Sequence, residues 1–459
     1  MQDVSVIILA AGYGTRMKSK LAKVLHGVGG APLIEHVIRA AMEIAPPERI
    51  TAVVGHQGDK VREAMGHLGI HFQTQEERLG TGHAVLVCRG LPHHATGKVV
   101  VMYGDCPLLR GETLNALVAR HREVGVAAAT LVTVVLDNPR GYGRIFREGE
   151  FVSRIVEEKA ATAEEKLVRE LNSGIYCFEA EPLWTHLASI QPNPASGEIY
   201  LTDMVESLRA DGLKTAAFEV PDPAETVGIN NRVELAEVDG MLRRRKAVAL
   251  MTAGVTIERP ETVSIDAWVE VGPDTVIEAG AQLRGRTVVG ADCRVGSHAI
   301  LENAVLGDCA RVHPFSFIAD SAIEAGAEAG PYARIRMGAV VESGAMAGNF
   351  VELKKTRLGG GSKAMHLAYL GDSTIGKNAN IGAGTITCNY DGKKKHPTLV
   401  GDGAFVGSNS TLVAPVEVGP GAYVAAGSVI TEKVPEDALA LGRSRQVVKD
   451  GWAKKRRES

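Results

Sequence analysis

Val4-Ser-Val-Ile-Ile-Leu-Ala-Ala-Gly-Tyr-Gly-Thr-Arg-Met17 carries an apolar run straight into two glycines and an arginine. Such a turn lets backbone N–H groups approach an anion closely, with the Arg16 guanidinium beside them. Phosphate is the ligand it suits, although a Gly-x-Gly turn also occurs for structural reasons alone. It is neither a Walker loop, which needs Gly-Lys-Ser/Thr, nor a complete G-x-G-x-x-G. A different chemistry is on offer far along the chain, in Lys363-Ala-Met-His366 followed by Tyr369-Leu-Gly-Asp372. An imidazole with a reference pKa of about 6.5 accepts a proton near neutrality, which an attacking amine requires. The chain has fourteen histidines, so the argument for His366 rests on its polar surroundings.

Elements that hold these residues are legible on either side. Up to about residue 230, short apolar runs (Val4–Leu9, Ile50–Val54, Val99–Tyr103) alternate with helical segments (Pro32–Met42, Thr113–Val124). That alternation predicts a mainly parallel sheet with helices on both faces, and ligands bind at the carboxyl ends of such strands. Residues 231–252 turn helical and charged, ending near Arg243-Arg-Arg-Lys246, and are expected to form a linker helix.

Beyond Gly254 the period changes. Ile265, Val271, Ile277, Leu283, Val289, Val295 and Leu301 fall six residues apart, and the pattern slips and resumes down to Ile430. Six fits neither a helix nor a simple strand. It fits a solenoid whose short strands each send one aliphatic side chain inward and whose corners turn on small residues. Residues 354–368 and 389–397 interrupt the hexads with polar and charged residues, and both are expected to protrude as loops. The pattern resembles the hexapeptide-repeat, left-handed parallel β-helix, a family in which acyltransferases form trimers and bind coenzyme A between subunits.

The first region has a resemblance of its own. Leu9-Ala-Ala-Gly-Tyr-Gly-Thr-Arg-Met17 with Lys23, Leu79-Gly-Thr-Gly-His83, Tyr103-Gly-Asp-Cys-Pro-Leu-Leu109, Gly141-Tyr-Gly-Arg-Ile145, Asn172-Ser-Gly174 and Gly228-Ile-Asn-Asn-Arg232 follow the sugar-nucleotidyltransferase signatures in order. Joined to Asn349-Phe-Val-Glu-Leu-Lys-Lys355 and Asn380–Gly392, they make nearly the whole chain resemble one family. It is the bacterial bifunctional N-acetylglucosamine-1-phosphate uridylyltransferase and glucosamine-1-phosphate N-acetyltransferase. The resemblance implies an α/β Rossmann-like nucleotidyltransferase domain (1–230), a linker helix (231–252) and an acetyltransferase left-handed β-helix domain with its tail (253–459).

It also implies roles. Arg16 and Lys23 would meet the triphosphate. Leu9, Ala10, Ala11, Gly12, Gln75, Gly80 and Thr81 would hold uridine, and Tyr103, Gly104, Gly143, Glu157 and Asn172 would surround the sugar nucleotide. Asp105, just past a strand end, and Asn230 would share one Mg2+ through oxygen ligands. In the solenoid, His366 would be the base and Glu352 would orient it. Arg336, Lys354, Tyr369 and Asn380 would bind glucosamine-1-phosphate, with Asn389 and Tyr390 where that site meets acetyl-CoA. Ala383, Ser408, Ala426 and Arg443 would hold acetyl-CoA itself. In two places the chain departs from the family's pattern: Ala22 stands where a proline usually precedes the signature lysine, and Met337 where one usually follows Arg336.

The remaining composition narrows the field. A formal charge of −3 argues against a nucleic-acid or polyanion binder as the main identity. Lys454-Lys-Arg-Arg457 reads as a solvated terminus. No apolar run approaches the roughly 20 residues of a membrane span, and no signal-peptide order opens the chain. Six cysteines without metal or disulfide spacing suit a cytoplasmic protein, and Cys293, Cys309 and Cys388 are expected to be small packed residues of the coils. Two other readings stay open at this point: a nucleotidyltransferase for another sugar with a solenoid serving only as regulator or trimeriser, and a non-catalytic scaffold.

Overall fold

The structure, a computed structural model, describes residues 3–194 and 196–459. The chain divides into two compact units, Met1–Leu242 and Arg243–Ser459. The division falls inside one helix, Arg232–Thr252.

The first unit is a sheet with helices on both faces. Its strand order is Lys214–Glu219, Ala127–Val135, Glu170–Glu179, Lys98–Tyr103, Val4–Ala10, Ile50–Val54, His71–Thr74. Val4–Ala10 is buried along its whole length because it has helices on both sides. Val6 and Ile8 pack with Ile34 and Ile38 on one face, and Ile7 and Leu9 pack with Leu183 and Leu201 on the other. Each such side chain, fully removed from water, contributes about 1.5–3 kcal/mol. The sheet is not wholly parallel: Glu170–Glu179 runs antiparallel to both neighbours. It follows Ala127–Val135 through a hairpin (Arg144–Glu148, Phe151–Val156) with no crossover helix, so it must return in the opposite direction.

The second unit is a left-handed parallel β-helix of hexapeptide repeats, built as three parallel sheets of 11, 10 and 9 strands. Inward residues stack coil on coil, 18 apart where Ile277 meets Val295 and 17 apart where Val295 meets Val312. The slips of the hexad phase are therefore corners shortened by one residue. This corrects the expectation for 354–368. Arg357–Leu358 and Lys363–His366 are regular strands in register with the coils before and after them, and Leu358 and Ala364 fill the interior. Their charged neighbours simply point outward. Residues 389–397 do leave the coil, since Ile375 pairs with Val400 and an isolated bridge joins Tyr390 to Lys395. Cys293 is buried as expected, but Cys309 and Cys388 are exposed.

One corner of the solenoid is unusual. His298, Phe315, Tyr332, Phe350 and Leu367 occupy it in successive coils with φ of 56°, 60°, 57°, 57° and 40°. Left-handed backbone disfavours bulky side chains by about 1–2 kcal/mol each. Ring stacking at centroid spacings of 5.3, 5.2 and 5.2 Å from His298 to Phe350 offsets part of that. Asn349 and His366 immediately precede two of these corner positions, so the column fixes where they emerge.

Candidate functional site

In the first unit, Ala10 pairs with Val54 and Leu9 with Tyr103, which aligns the carboxyl ends of three strands. The chain leaves the first of them through Gly12–Gly14 into a short turn, Thr15–Met17. Gly14 has φ of 58°, and a Cβ there would lie 2.6 Å from the Lys23 Cβ, so only glycine lets the turn close over the lysine. Ala22 sets φ at −56° just before Lys23. That is within proline's own range, so the loop keeps its course without one.

Lys23 is the node. Its Nζ donates to Asp105 Oδ2 at 2.5 Å and to Asn230 Oδ1 at 3.0 Å, and Arg16 Nη2 donates to the same Asn230 oxygen at 2.9 Å. A backbone bond from Ile229 N to Asp105 O ties the two segments, and Glu234 Oε2 accepts from Asn230 N at the start of the long helix. A carboxylate and an amide oxygen thus converge on one cation, the ammonium. Hard divalent cations take such oxygen donors, so the pair fits one. Beside the loop lies a cavity of about 520 Å3 whose lining includes Gly12, Tyr13, Lys18, Lys20 and His56.

Two further groups flank this node. Gln75 Nε2 donates to Gly80 O and meets His83 Nδ1, both at 3.1 Å, and Thr81 Oγ1 accepts from Leu201 N at 3.0 Å. On the other side, Gly143 O accepts from Asn172 N, and Asn172 Oδ1 accepts from Gly174 N. Gly174, with φ of 79°, packs so tightly under Tyr103 that a Cβ would fall 2.1 Å from the ring. Burial pushes the Tyr103 phenol well up, reinforced by Asp105 and Glu157. Burial also raises the Glu157 carboxyl, against a hydrogen bond from Thr202 that lowers it.

In the second unit the site wraps the corner at Phe350 and Leu367. On one side, Arg336, Lys354 and Gly371 are register partners in successive coils, as are Glu352 and Tyr369. Lys354, its side chain 4% exposed, donates to Asp372 Oδ2 at 2.8 Å, and Asn389 Nδ2 donates to the same oxygen. Burial alone would raise the Asp372 carboxyl, but the Lys354 ammonium and the Asn389 amide more than offset it and hold it low. Asp372 in turn raises Lys354, while Lys354 lowers Lys395 on the protruding loop. The Lys354 and Lys395 ammonium groups thus interact across this cluster with Asp372 as its nearby carboxylate, an excess of positive charge that favours an added anion.

Around the corner, His366 Nδ1 bonds Asn349 Oδ1 at 2.8 Å, its register partner one coil earlier. Glu352 does not hold the imidazole as expected. Its Oε1 is taken by Arg336, at 2.8 Å from Nε and 2.7 Å from the terminal nitrogen. The reason is register: Glu352 belongs to the next sheet, beside Arg336 and Tyr369. Ala383, Ser408, Ala426 and Arg443 follow His366 at the same corner, coil by coil. Backbone bonds Asn409 N to Ala383 O and Gly427 N to Ser408 O join them, and Arg443 Nη1 reaches Ala426 O at 3.0 Å. Asn380, in register with Lys363 and Phe405, lies on the His366 sheet and not with Lys354 and Tyr369. Met337 has φ of 59°, a value closed to proline.

Residues 6–172 match the MobA-like NTP transferase domain, and residues 397–432 match the bacterial transferase hexapeptide (six repeats). The bifunctional protein GlmU of Solibacter usitatus (strain Ellin6076) is 55% identical over 458 residues, covering 100% of this chain and 98% of that protein. The protein of the same name from Koribacter versatilis (strain Ellin345) is 50% identical, covering 99% of this chain and 97% of that protein. That of Brevibacillus brevis (strain 47 / JCM 6285 / NBRC 100599) is 46% identical over 99% of this chain and 98% of its own. The chain belongs to the GlmU family of bifunctional proteins.

Placed in that family, the geometry adds residues that sequence reasoning left without a role. Asp372 lies at the centre of the Lys354 cluster, and Asn349 is the partner of His366. Both stand inside the quoted motifs, and a period of 17 or 18 applied to Lys354 and His366 would have found them. Lys395 carries no motif signal of its own.

Proposed function

We propose that this chain makes a UDP-sugar in two steps: acetyl transfer from acetyl-CoA to glucosamine-1-phosphate in the second unit, then coupling of the N-acetylated product to UTP in the first. Residues 1–230 would form the uridylyltransferase domain, 231–252 the linker and 253–459 the acetyltransferase domain. The observation that carries this reading is the assembly, within one chain, of two clusters with different chemistry: cations around paired oxygens at strand ends, and an imidazole in line with the Ala383–Arg443 column.

In the second unit the substrate's phosphate joins Lys354, Arg336 and Lys395, and Tyr369 helps place the amine. With Nδ1 held by the Asn349 oxygen, His366 presents Nε2 as the base. The amine nitrogen attacks the thioester carbonyl, the new C–N bond forms as the C–S bond breaks, and Nε2 takes the amine proton. The coenzyme A thiolate leaves and recovers a proton. Backbone N–H near Ala383 would stabilise the oxyanion, and Ser408 the departing sulfur.

In the first unit a phosphate oxygen of the sugar attacks the α-phosphorus of UTP and pyrophosphate leaves, so no proton need move. Arg16 and Lys23 neutralise the triphosphate. Asp105 and Asn230 would hold Mg2+, which when bound draws the reacting phosphates together and spreads their charge. Gln75, Gly80 and Thr81 hold uridine, while Tyr103, Gly143, Glu157 and Asn172 close around the sugar. The product is a precursor for envelope polysaccharides, made in the cytoplasm by a homotrimer. No helix among the described residues is long and apolar enough to cross a membrane.

The test is a single incubation with glucosamine-1-phosphate, acetyl-CoA, UTP and Mg2+, following free thiol and UDP-sugar together. Both are expected. UDP-sugar formed only when N-acetylglucosamine-1-phosphate is supplied, with no thiol released, would reduce the solenoid to a scaffold.

A further inference from the structure

Arg78 lies between Gln75 and Gly80 in the chain, and the site as described gives it no task. Its guanidinium carbon sits 3.0 Å from the centroid of the Tyr13 ring. A Cβ built on Gly55 would lie 3.2 Å from its Nη2 and 2.8 Å from the Ala11 carbonyl oxygen. The group therefore stands where the strands Val4–Ala10 and Ile50–Val54 end, alongside Ala11. Its Nη1 is buried and has no hydrogen-bond partner among the described residues. Burial lowers the charged group's stability there, only partly relieved by Tyr13. A buried N–H without an acceptor is unfavourable and is seldom kept where no ligand completes it.

The ring stacked on this guanidinium lies at the surface. Tyr13 is 67% exposed and stands between Gly12 and Gly14, with open space around the Gly12 Cα. Swinging the ring aside would open the guanidinium to a ligand. On the same loop, the Gln75 side-chain N–H groups are engaged by Gly80 O and His83 Nδ1, so what Gln75 offers a ligand is its acceptor, Oε1. A donor from Arg78 and an acceptor from Gln75 match the edge of uracil, which shows a ring N–H next to carbonyl oxygens. Cytosine shows the reverse at the same two positions, a ring nitrogen acceptor and an amino donor.

We infer that Arg78 donates to the 4-carbonyl of uracil once the base displaces Tyr13, and that with Gln75 it sets the preference for uracil over cytosine nucleotides. The inference rests on the first unit being the UTP site. It assigns the residue to the base and not to the phosphates, which Arg16 and Lys23 meet on the Gly14 side of the loop.

The experiment uses the full-length chain. Arg78→Ala and Arg78→Met, the second keeping the apolar stem, are compared with the parent and with Tyr13→Phe, which keeps the ring. Initial rates are measured with UTP and CTP, and UMP and CMP are tested as competitors of UTP. Acetyl transfer in the same samples reports intact folding. The expected result is a fall of about tenfold in kcat/KM for UTP, mostly through KM, with UMP competition weakened alike. The values for CTP, CMP and the sugar phosphate should hold, so that the uracil preference shrinks, and Tyr13→Phe should match the parent. An equal loss for uracil and cytosine nucleotides would place Arg78 on the phosphates, and no change in either variant would leave it a stacking partner of Tyr13. Each result overturns the inference. Failure of the parent chain to turn over any nucleoside triphosphate would instead sink the reading of the site.

Discussion

The two clusters are built by opposite means. In the first unit the bonds of the node join residues 82, 207 and 214 positions apart, Lys23 to Asp105, Lys23 to Asn230 and Arg16 to Asn230. Only the order of strands in the sheet, and the return of the chain at Gly228–Asn230, brings them to one point. In the second unit the bonds join residues 16, 17 and 18 apart: Arg336 to Glu352, His366 to Asn349 and Lys354 to Asp372. There the coil length alone sets who meets whom. A topological site fails when a loop or strand shifts as a body, whereas a lattice site fails one position at a time.

The sharpest challenge to this contrast is a reciprocal pair of substitutions in the full chain. Lys23→Ala removes the cation that links Asp105 to Asn230 and should lower UTP coupling by about 10²–10³, with acetyl transfer intact. His366→Ala should lower acetyl transfer by about 10²–10⁴ and leave UTP coupling unchanged. Both activities are assayed in both variants, with N-acetylglucosamine-1-phosphate supplied for the second. A variant that loses both would show that the two clusters are not independent.

How far these sites could be read in advance follows the same division. The hexads announce the solenoid because one aliphatic in six must point inward, and Ile277, Val295 and Leu301 do so. The expectation failed at 354–368, where a one-residue slip in phase looks like a break and outward lysines look like a loop. Glu352 is a plausible partner for His366 on residue type alone, a carboxylate in a neighbouring motif. Register decides otherwise, and Asn349 lies one coil below the histidine. In the first unit the motifs name Lys23, Asp105 and Asn230, yet nothing in their spacing says that one ammonium touches both oxygens. The antiparallel strand Glu170–Glu179 escaped for a similar reason, since apolar patterning carries no direction.

A finer probe of the lattice site separates the two candidate partners of the imidazole. Asn349 is a positioning residue, so Asn349→Ala should lower kcat for acetyl transfer about tenfold, and the acid limb of the pH profile should move with it. Asn349→Asp puts a carboxylate on Nδ1, favours the imidazolium and so shifts that limb to higher pH. Glu352→Gln acts through Arg336 and should raise KM for glucosamine-1-phosphate without moving the limb. The pattern reversed, with a pH shift from Glu352→Gln and none from either Asn349 variant, would restore Glu352 as the orienting group and break the register argument.

The smallest expected effect concerns stability, and it too divides the units. Polar groups buried in the solenoid are mainly hydroxyls bonded to the adjoining coil, such as Ser362 Oγ to Gly376 O and Thr356 Oγ1 to Leu370 O, which do not titrate. In the first unit, burial instead holds His26, His36, His93, His94 and His121 below the ordinary imidazole range. His94 is the extreme case, held at about 3 by burial first and then by His93 and Arg49. It is locked between Ser5 Oγ at 2.8 Å and Thr51 Oγ1 at 2.9 Å. An unfolded chain binds a proton on this residue below about pH 6.5, and the native one does not until about pH 3. The unfolded state therefore gains as pH falls between those values, by up to about 1.4 kcal/mol per pH unit, and stability is fully present only above the upper one. Trp184 Nε1 donates to His94 O at 2.7 Å, which places a fluorophore on the spot. With Trp268→Phe and Trp452→Phe in the background, the urea midpoint seen by Trp184 should drop from pH 7 to pH 5, before carboxylates titrate. Adding His94→Gln should lower the midpoint at pH 7 and shrink the difference between the two pH values. A midpoint that stays level over that range in the histidine-containing chain would mean the buried imidazole is protonated without penalty, and the acid sensitivity assigned to the first unit would be lost.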